Sequence, residues 1–430
     1  MTTSYLGPDE IIRKKKEYMI PCTYHFYSAP MQLVRGEMQY LFDQTGKRYL
    51  DCFAGVSVMN CGHCNPVISK AICDQANTLQ HTCTIYLTEP IVNLAERLAH
   101  ITPGRLQKSF FCASGSEANE GAALLATLYT GKSEFLTLRQ GLHGRTKLGM
   151  SLTGLSFWRT DPAPVGGVAM APNPYCYRCP CHKKYPECDF ACVQEVESVI
   201  KTATSGQVAA MFAEPIQGNG GIITPPQGYF KRLKEVLAHY GILLIMDEVQ
   251  TGFGRTGHLF ASEYYDIEPD IMTLAKALGN GAPVGAFIAR PEIADVYTRP
   301  GASTLGGNPV TASAALATLQ YIADNTLVER AAKLGAKLRQ GLLELQTKHA
   351  LIGDVRGLGL MLGAELIQSD GSPASAQADL ILEELKNRGV LIGKNGPDRN
   401  VLAFQPPLII TEQDIDTLLN HLSDLLIKLN

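Results

Sequence analysis

Two side chains in this chain have the types and surroundings to do chemistry together. Asp247 closes the short apolar run Ile242 to Met246 within GILLIMDEVQTGFGRTG, and Lys276 follows 29 residues later in IMTLAKALGNG. A continuous apolar run of that length reads as a buried parallel strand, which would deliver Asp247 to a strand's carboxyl end. Ligands of α/β folds gather at such ends. A lysine on a neighbouring loop can form a Schiff base with an aldehyde, while a carboxylate can keep a pyridine nitrogen protonated. Those are the two needs of a pyridoxal phosphate site. Singly, each residue has an ordinary explanation, a solvated lysine or a capping aspartate. The interval between them leaves room for one further crossover.

Elements that would position this pair run along the whole chain. MQLVRGE, MQYLFD, a QTG turn and KRYLDC read as a small antiparallel unit near the N-terminus. From about Cys61 to Asn308 apolar runs alternate with helical stretches, as in KSFFCAS, EANEGAALLATLYTG and EFLTLRQ, which predicts βαβ units and a mixed, mostly parallel sheet. Beyond Pro309 one long helical pattern, TASAALATLQYIADNTLVERAAKLGAKLRQGLLELQTKH, leads out of this layer. Strand text at VRGLGLMLGAEL and NVLAFQPPL, then a helical tail from Glu412, predicts a separate α+β lobe. The expected division is 1–60 and 311–430 in a small domain and 61–310 in a large one, with a Cys-rich insertion at 174–192. No internal repeat is visible.

Composition limits the function classes. The 430 residues are 45% apolar and 18% charged, enough for a large core and two or three lobes. A net charge of -3 provides no basic field for nucleic acid or an anionic membrane. No apolar stretch approaches the roughly eighteen residues of a spanning helix. MTTSYLGPDEIIRKKKEYMIP has a basic cluster but no apolar signal core, so a cytoplasmic setting is the expectation. Of twelve cysteines, seven are scattered and read as reduced thiols. Five cluster at Cys176, Cys179, Cys181, Cys188 and Cys192, with His182 among them. This text has one CxxC and lacks a second at the usual separation, so the reading is a reduced, loop-packing cluster, with structural zinc the alternative.

A cofactor phosphate needs backbone donors and a positive helix end. In CASGSEANE, Gly115 would allow close approach and Ser116 would bring a hydroxyl to a helix N-terminus. The same text, Ser114 to Glu117, also has the S-x-x-E form of an ordinary capping box.

SGSEANE, MDEVQTGFGRTG, AKALGNG and STLGGNP occur together and in order. In these motifs the chain, from about Gly36 to its C-terminus, resembles the class III (subgroup II) pyridoxal phosphate aminotransferases, nearest the alanine:glyoxylate type 2 branch. The resemblance implies the fold type I architecture, a large domain with a mostly parallel seven-stranded sheet and a small domain from both chain ends. It implies Lys276 as Schiff-base lysine and general base, and Asp247 on the ring nitrogen. Gly115 and Ser116 would hold the phosphate, with Thr304 of a neighbouring subunit, in a homodimer or dimer of dimers whose active site is shared. Val249 and the residue before His143 would clamp the ring. That residue is Leu142, which packs on a ring without the stacking term of an aromatic, roughly 1 kcal/mol. His143 would be positional, Gln250 would bond the phenolic oxygen, and Glu214 in AEPIQGNGG would face it. Similar enzymes carry an arginine in NVLR text before PP; here Ala403 stands there, so a bidentate carboxylate fork is missing unless Arg145, Arg399 or an N-terminal residue supplies the charge. Phe26 and Val56 are candidate pocket walls or plain core. The implied reaction is ping-pong transfer of an amino group from an amino acid or ω-amino compound to a small keto acid. An epimerase or racemase on the same scaffold, or a cofactor-binding protein without catalysis, are the alternatives.

Overall fold

The computed structural model describes residues 5–429. Its central layer is a seven-stranded sheet in the order Lys108–Cys112, Gly285–Ala289, Ile271–Leu274, Leu243–Asp247, Val208–Ala213, Glu134–Leu138, Val168–Ala171. Gly285–Ala289 runs antiparallel to both neighbours, and the next five strands run parallel to one another. Strands Val208–Ala213 and Leu243–Asp247 are buried at every residue, as expected where helices cover both faces.

The period of two along these strands sorts their side chains between two cores. Leu244 and Met246 join Met211 and the helices Ala191–Ala203 and Tyr229–His239 on one face. Leu243 and Ile245 join Phe212 and the alanine-rich helix Gly115–Thr130 on the other. Asp247, two residues beyond Ile245, therefore leaves the sheet on the side of that alanine-rich helix.

Two four-stranded sheets flank this layer. One contains Leu33–Glu37, Tyr40–Asp43 and Arg48–Asp51, completed by Val390–Leu391, which pairs in parallel with Arg48–Asp51. The other runs Ile352–Leu358, Met361–Leu366, Val401–Phe404, Gly393–Asn395. A single large apolar cluster ties both to the helices Pro309–Asp324, Leu327–Lys348, Ser375–Asn387 and Glu412–Leu429. The helical pattern after Pro309 is two helices and not one. Asn325 closes the first, and Thr326 adopts φ 46° before Leu327 opens the second. Asn and a β-branched Thr are poor helix formers, and the polar pair breaks the apolar stripe there. Among the described residues no helix is long and apolar enough to cross a membrane.

Candidate active site

The crossover between the two key strands is short: helix Ala261–Tyr264, then strand Ile271–Leu274 beside Leu243–Asp247. Asp247 thus ends one strand and Lys276 follows the adjacent one, and both line a cavity of about 370 Å³. Gly115, Ser116, Leu142, His143, Glu214, Val249 and Gln250 line the same cavity. Its volume falls within the range of small-molecule and cofactor sites.

Asp247 is 4% exposed. Its Oδ2 accepts from His143 Nδ1 at 2.8 Å and from Asn119 Nδ2 at 2.9 Å, and its Oδ1 accepts from the Val249 amide at 3.2 Å. Desolvation raises the carboxyl's pKa, but His143, Asn119 and the charge of Lys276 outweigh it and hold the group below its ordinary value. Burial likewise opposes charge on His143, and Asp247 reverses that, so the imidazole titrates above its usual range. The outcome is a permanently anionic aspartate, oriented from behind. Lys276 is half-buried at the cavity wall at φ 48°, where a side chain is strained. Desolvation lowers its pKa, opposed by Asp247 and Glu214, which favours a neutral, nucleophilic amine.

Glu214 lies where its strand's extension meets the cavity. Its Oε1 accepts from the Leu142 amide at 2.8 Å and its Oε2 from the Gly218 amide at 3.0 Å. These amides take the place of a guanidinium partner. Burial pushes the carboxyl up to about 7, with His143 opposing and Asp247 reinforcing the shift. Gln250 is 5% exposed, and its Nε2 is a buried donor without a hydrogen-bond partner.

At the other end of the cavity the capping reading of SGSEANE holds. Ser114 caps the helix by accepting from the Glu117 amide, and Glu117 accepts from the Ala113 amide. Ser116 Oγ, on the first turn, accepts from the Arg145 amide at 3.2 Å. A Cβ on Gly144, at φ +128°, would come within 2.6 Å of that hydroxyl, and one on Gly115 would sit 3.0 Å from Val249. The two glycines keep space open beside a helix N-terminus, which suits a phosphate.

Other expected residues lie outside this cavity. Arg145 and Thr304 are exposed on this chain. Ala403 is buried against Ile216, Ile222 and Met361. Phe26 packs beside Phe53, with ring centroids 6.0 Å apart, and lies 5.4 Å from the Arg399 guanidinium. Val56 belongs to a left-handed turn, Ala54 to Ser57, and Val58, two residues further on, is the residue that reaches the cavity. The Asp51 carboxylate holds the start of this turn through the amides of Phe53 and Ala54. Asn119, not anticipated from sequence, donates to both Asp247 and the His143 carbonyl. Its signal was a polar, weakly helix-forming residue inside an alanine-rich helix. The five clustered cysteines are free thiols, four in the irregular stretch before helix Ala191–Ala203 and Cys192 in its first turn, and none lines the cavity around Lys276.

Comparison with known proteins shows the family. A family model for class III aminotransferases matches residues 25–426. The chain is 42% identical to alanine–glyoxylate aminotransferase 2 homolog 2, mitochondrial, of Arabidopsis thaliana, over 96% of this chain and 87% of that protein. It is 39% identical to a leucine/methionine racemase of Thermococcus litoralis, over 92% and 90%. An amine transaminase from an uncultivated Pseudomonas species, solved in its PLP-bound form, superimposes with a TM-score of 0.90 at 32% identity, covering 96% of this chain and 99% of that one. The architecture is that of fold type I. The chain belongs to the class III aminotransferases and is a pyridoxal-phosphate-dependent transaminase.

Proposed function

We propose that Lys276 and Asp247 are the catalytic pair, and that the enzyme moves an amino group from an amino acid such as alanine, or an ω-amino acid, to a small keto acid such as glyoxylate or pyruvate. The observation that carries this is the meeting of both residues at adjacent strand ends in one cavity that also holds an unpartnered Gln250 donor. Bound pyridoxal phosphate supplies an aldehyde to capture amines and a protonated ring to withdraw electrons from the bond that breaks.

The chain's own residues do the rest. Asp247, whose depressed pKa keeps it an anion, would hold the ring nitrogen of a bound cofactor protonated. Lys276 Nζ would hold the cofactor's aldehyde and would serve as the base that moves the substrate proton. Gly115 and Ser116 would hold the phosphate, Leu142 and Val249 would clamp the ring, and the unpartnered Gln250 Nε2 would be free to donate to the phenolic oxygen. Glu214 fixes the Leu142 backbone and so the clamp's height. His143 fixes Asp247.

In the same proposal Thr304 reaches the phosphate of a second copy, within a homodimer or dimer of dimers. Ile85, Tyr86, Leu87 and Leu305 support this, since on one chain they are 57% to 100% exposed and apolar. Residues 61–310 form the cofactor domain and 1–60 with 311–430 the small domain. Twelve free thiols suit a reducing compartment, the cytoplasm in this reading.

The test is a half-reaction screen by visible absorbance, adding single amino acids to the holoenzyme. Conversion to the aminated cofactor with stoichiometric keto product supports the proposal. The racemase relative motivates one competing reading, amino acid racemisation. Racemised substrate without keto product would select it.

A further inference from the structure

Beyond Glu214 the chain folds into a tight hairpin from Gln217 to Ile223, whose two ends bond each other in both directions through their backbones, at 3.0 and 3.1 Å. Asn219, within it, lines the cofactor cavity. The flanking sheet that contains Ile352–Leu358 and Gly393–Asn395 grips this hairpin at three carbonyls. Asn395 Nδ2 donates to the Gly218 carbonyl at 3.0 Å, and the amide of the next residue, Gly396, donates to that of Asn219 at 2.9 Å. Arg356 donates to the Gly221 carbonyl through Nε at 2.9 Å and Nη2 at 2.6 Å, and is itself held by Asp354 at 2.7 Å and Glu365 at 2.9 Å. Ile216 and Ile222 complete the junction by packing with Met361 and Ala403.

The opposite side of the hairpin meets the site through one residue, Gly218. Its amide donates to Glu214 Oε2 at 3.0 Å. Its Cα lies directly against the Gln250 side chain, so that a Cβ at position 218 would overlap the Gln250 amide. Only glycine allows that approach. Gln250 Nε2 is buried without a hydrogen-bond partner, so packing against Gly218 sets where this donor points. Asn395 does not line the cavity, yet it is 2% exposed, and its bond to Gly218 is made where water cannot replace a lost partner.

We propose that Asn395 is a positioning residue: by holding the Gly218 carbonyl it fixes the glycine on which the Gln250 amide rests, and so sets the hydrogen bond from Gln250 to the cofactor's phenolic oxygen. The proposal rests on the placement of Gln250 at that oxygen and adds to it a role for the flanking sheet. A donor to the phenolic oxygen stabilises its anion and lowers the pH at which the bound cofactor loses its proton. Loosening the donor therefore raises that pH. The charged groups around the hairpin are Glu214 beside it, His143, Asp247 and Lys276 in the cavity, and Arg356 with Asp354 and Glu365 behind. Substitutions at 395 and 250 leave all of them in place.

The experiment titrates the visible band of substrate-free holoenzyme against pH, a readout that involves no turnover. It compares wild type, Gln250→Leu, Asn395→Leu, Asn395→Ser, and each Asn395 variant combined with Gln250→Leu. Asn395→Leu keeps the side chain's shape without its donor; Asn395→Ser stays polar but falls short of Gly218, and reads the same loss if the leucine variant does not fold. Gln250→Leu should raise the midpoint by about one pH unit, and either Asn395 variant should raise it by about half a unit. In the Gln250→Leu background the Asn395 substitutions should add less than about 0.2 unit, because the residue they act through is gone. Asn395 variants that titrate with wild type, or that add their full shift in the Gln250→Leu background, overturn the proposal. A midpoint unchanged by Gln250→Leu itself would instead sink the placement of Gln250 at the phenolic oxygen.

Discussion

Glu214 offers a prediction whose size and sign both come from the structure. Its carboxyl is 5% exposed and pushed up from 4.5 to about 7, chiefly by burial. A raised carboxyl pKa means that the folded chain keeps a proton which the unfolded chain has already lost. Glu214 therefore costs nothing below about pH 4.5, and its cost grows as pH rises to about 7, then levels off. Linkage over that window gives about 2 to 3 kcal/mol between pH 5 and pH 8. Glu214→Gln removes the titration. It also places an amide donor against one of the Leu142 and Gly218 amides, a fixed cost of about 1–3 kcal/mol that is the same at both pH values. The difference between variant and wild type should therefore move by about 2 to 3 kcal/mol in the variant's favour from pH 5 to pH 8. Urea unfolding of cofactor-stripped protein at the two pH values measures it. A difference that stays constant within about 0.5 kcal/mol would refute the reasoning, because Glu214 would then be titrating as an ordinary carboxyl.

Four further outcomes are expected. Lys276→Ala should abolish the cofactor's amine-responsive absorbance and lower turnover at least about a thousandfold, measured with the best donor of the half-reaction screen. His143→Ala should remove one of the bonds orienting Asp247 and cost about 10- to 100-fold in kcat, with less effect on KM. Gly144→Ala should lower affinity for the cofactor, because its Cβ would crowd the Ser116 hydroxyl; equilibrium dialysis against pyridoxal phosphate reads this, and wild-type affinity would contradict the placement of the phosphate. Thiol titration of denatured, unreduced protein should find twelve reactive cysteines, and metal analysis should find no zinc in proportion to chain.

The sequence made the central sheet legible because its strands are short apolar runs bounded by turn residues, and Asp247 and Lys276 stand just past two of them. Once the strand ending at Asp247 is placed, its face follows from the period of two. What pairs with what across the cavity was not legible. Glu214 invites a search for a cation, yet its partners are two backbone amides, which no side-chain pattern advertises. Asn119 reaches Asp247 across 128 residues of chain, a contact that only the docking of helix on sheet creates. The left-handed turn from Ala54 to Ser57 contains one glycine, so three of its four positive φ values had no signal in residue type. Arg399 was visible as a charge among several; its burial between Phe26 and Phe157 was not.

The parallel pairing of Val390–Leu391 with Arg48–Asp51 has a consequence for how the chain is made. A ribosome delivers residue 51 long before residue 390, so the first sheet must wait with an open edge through most of synthesis. Open edges recruit other strands, and long-range pairings form slowly. The nascent chain can assemble its cofactor layer first and close this seam only after Val390 and Leu391 are made. Chains cut short before Val390 should then aggregate through the edge at Arg48–Asp51, whereas a circular permutant that joins the two ends should shorten the wait.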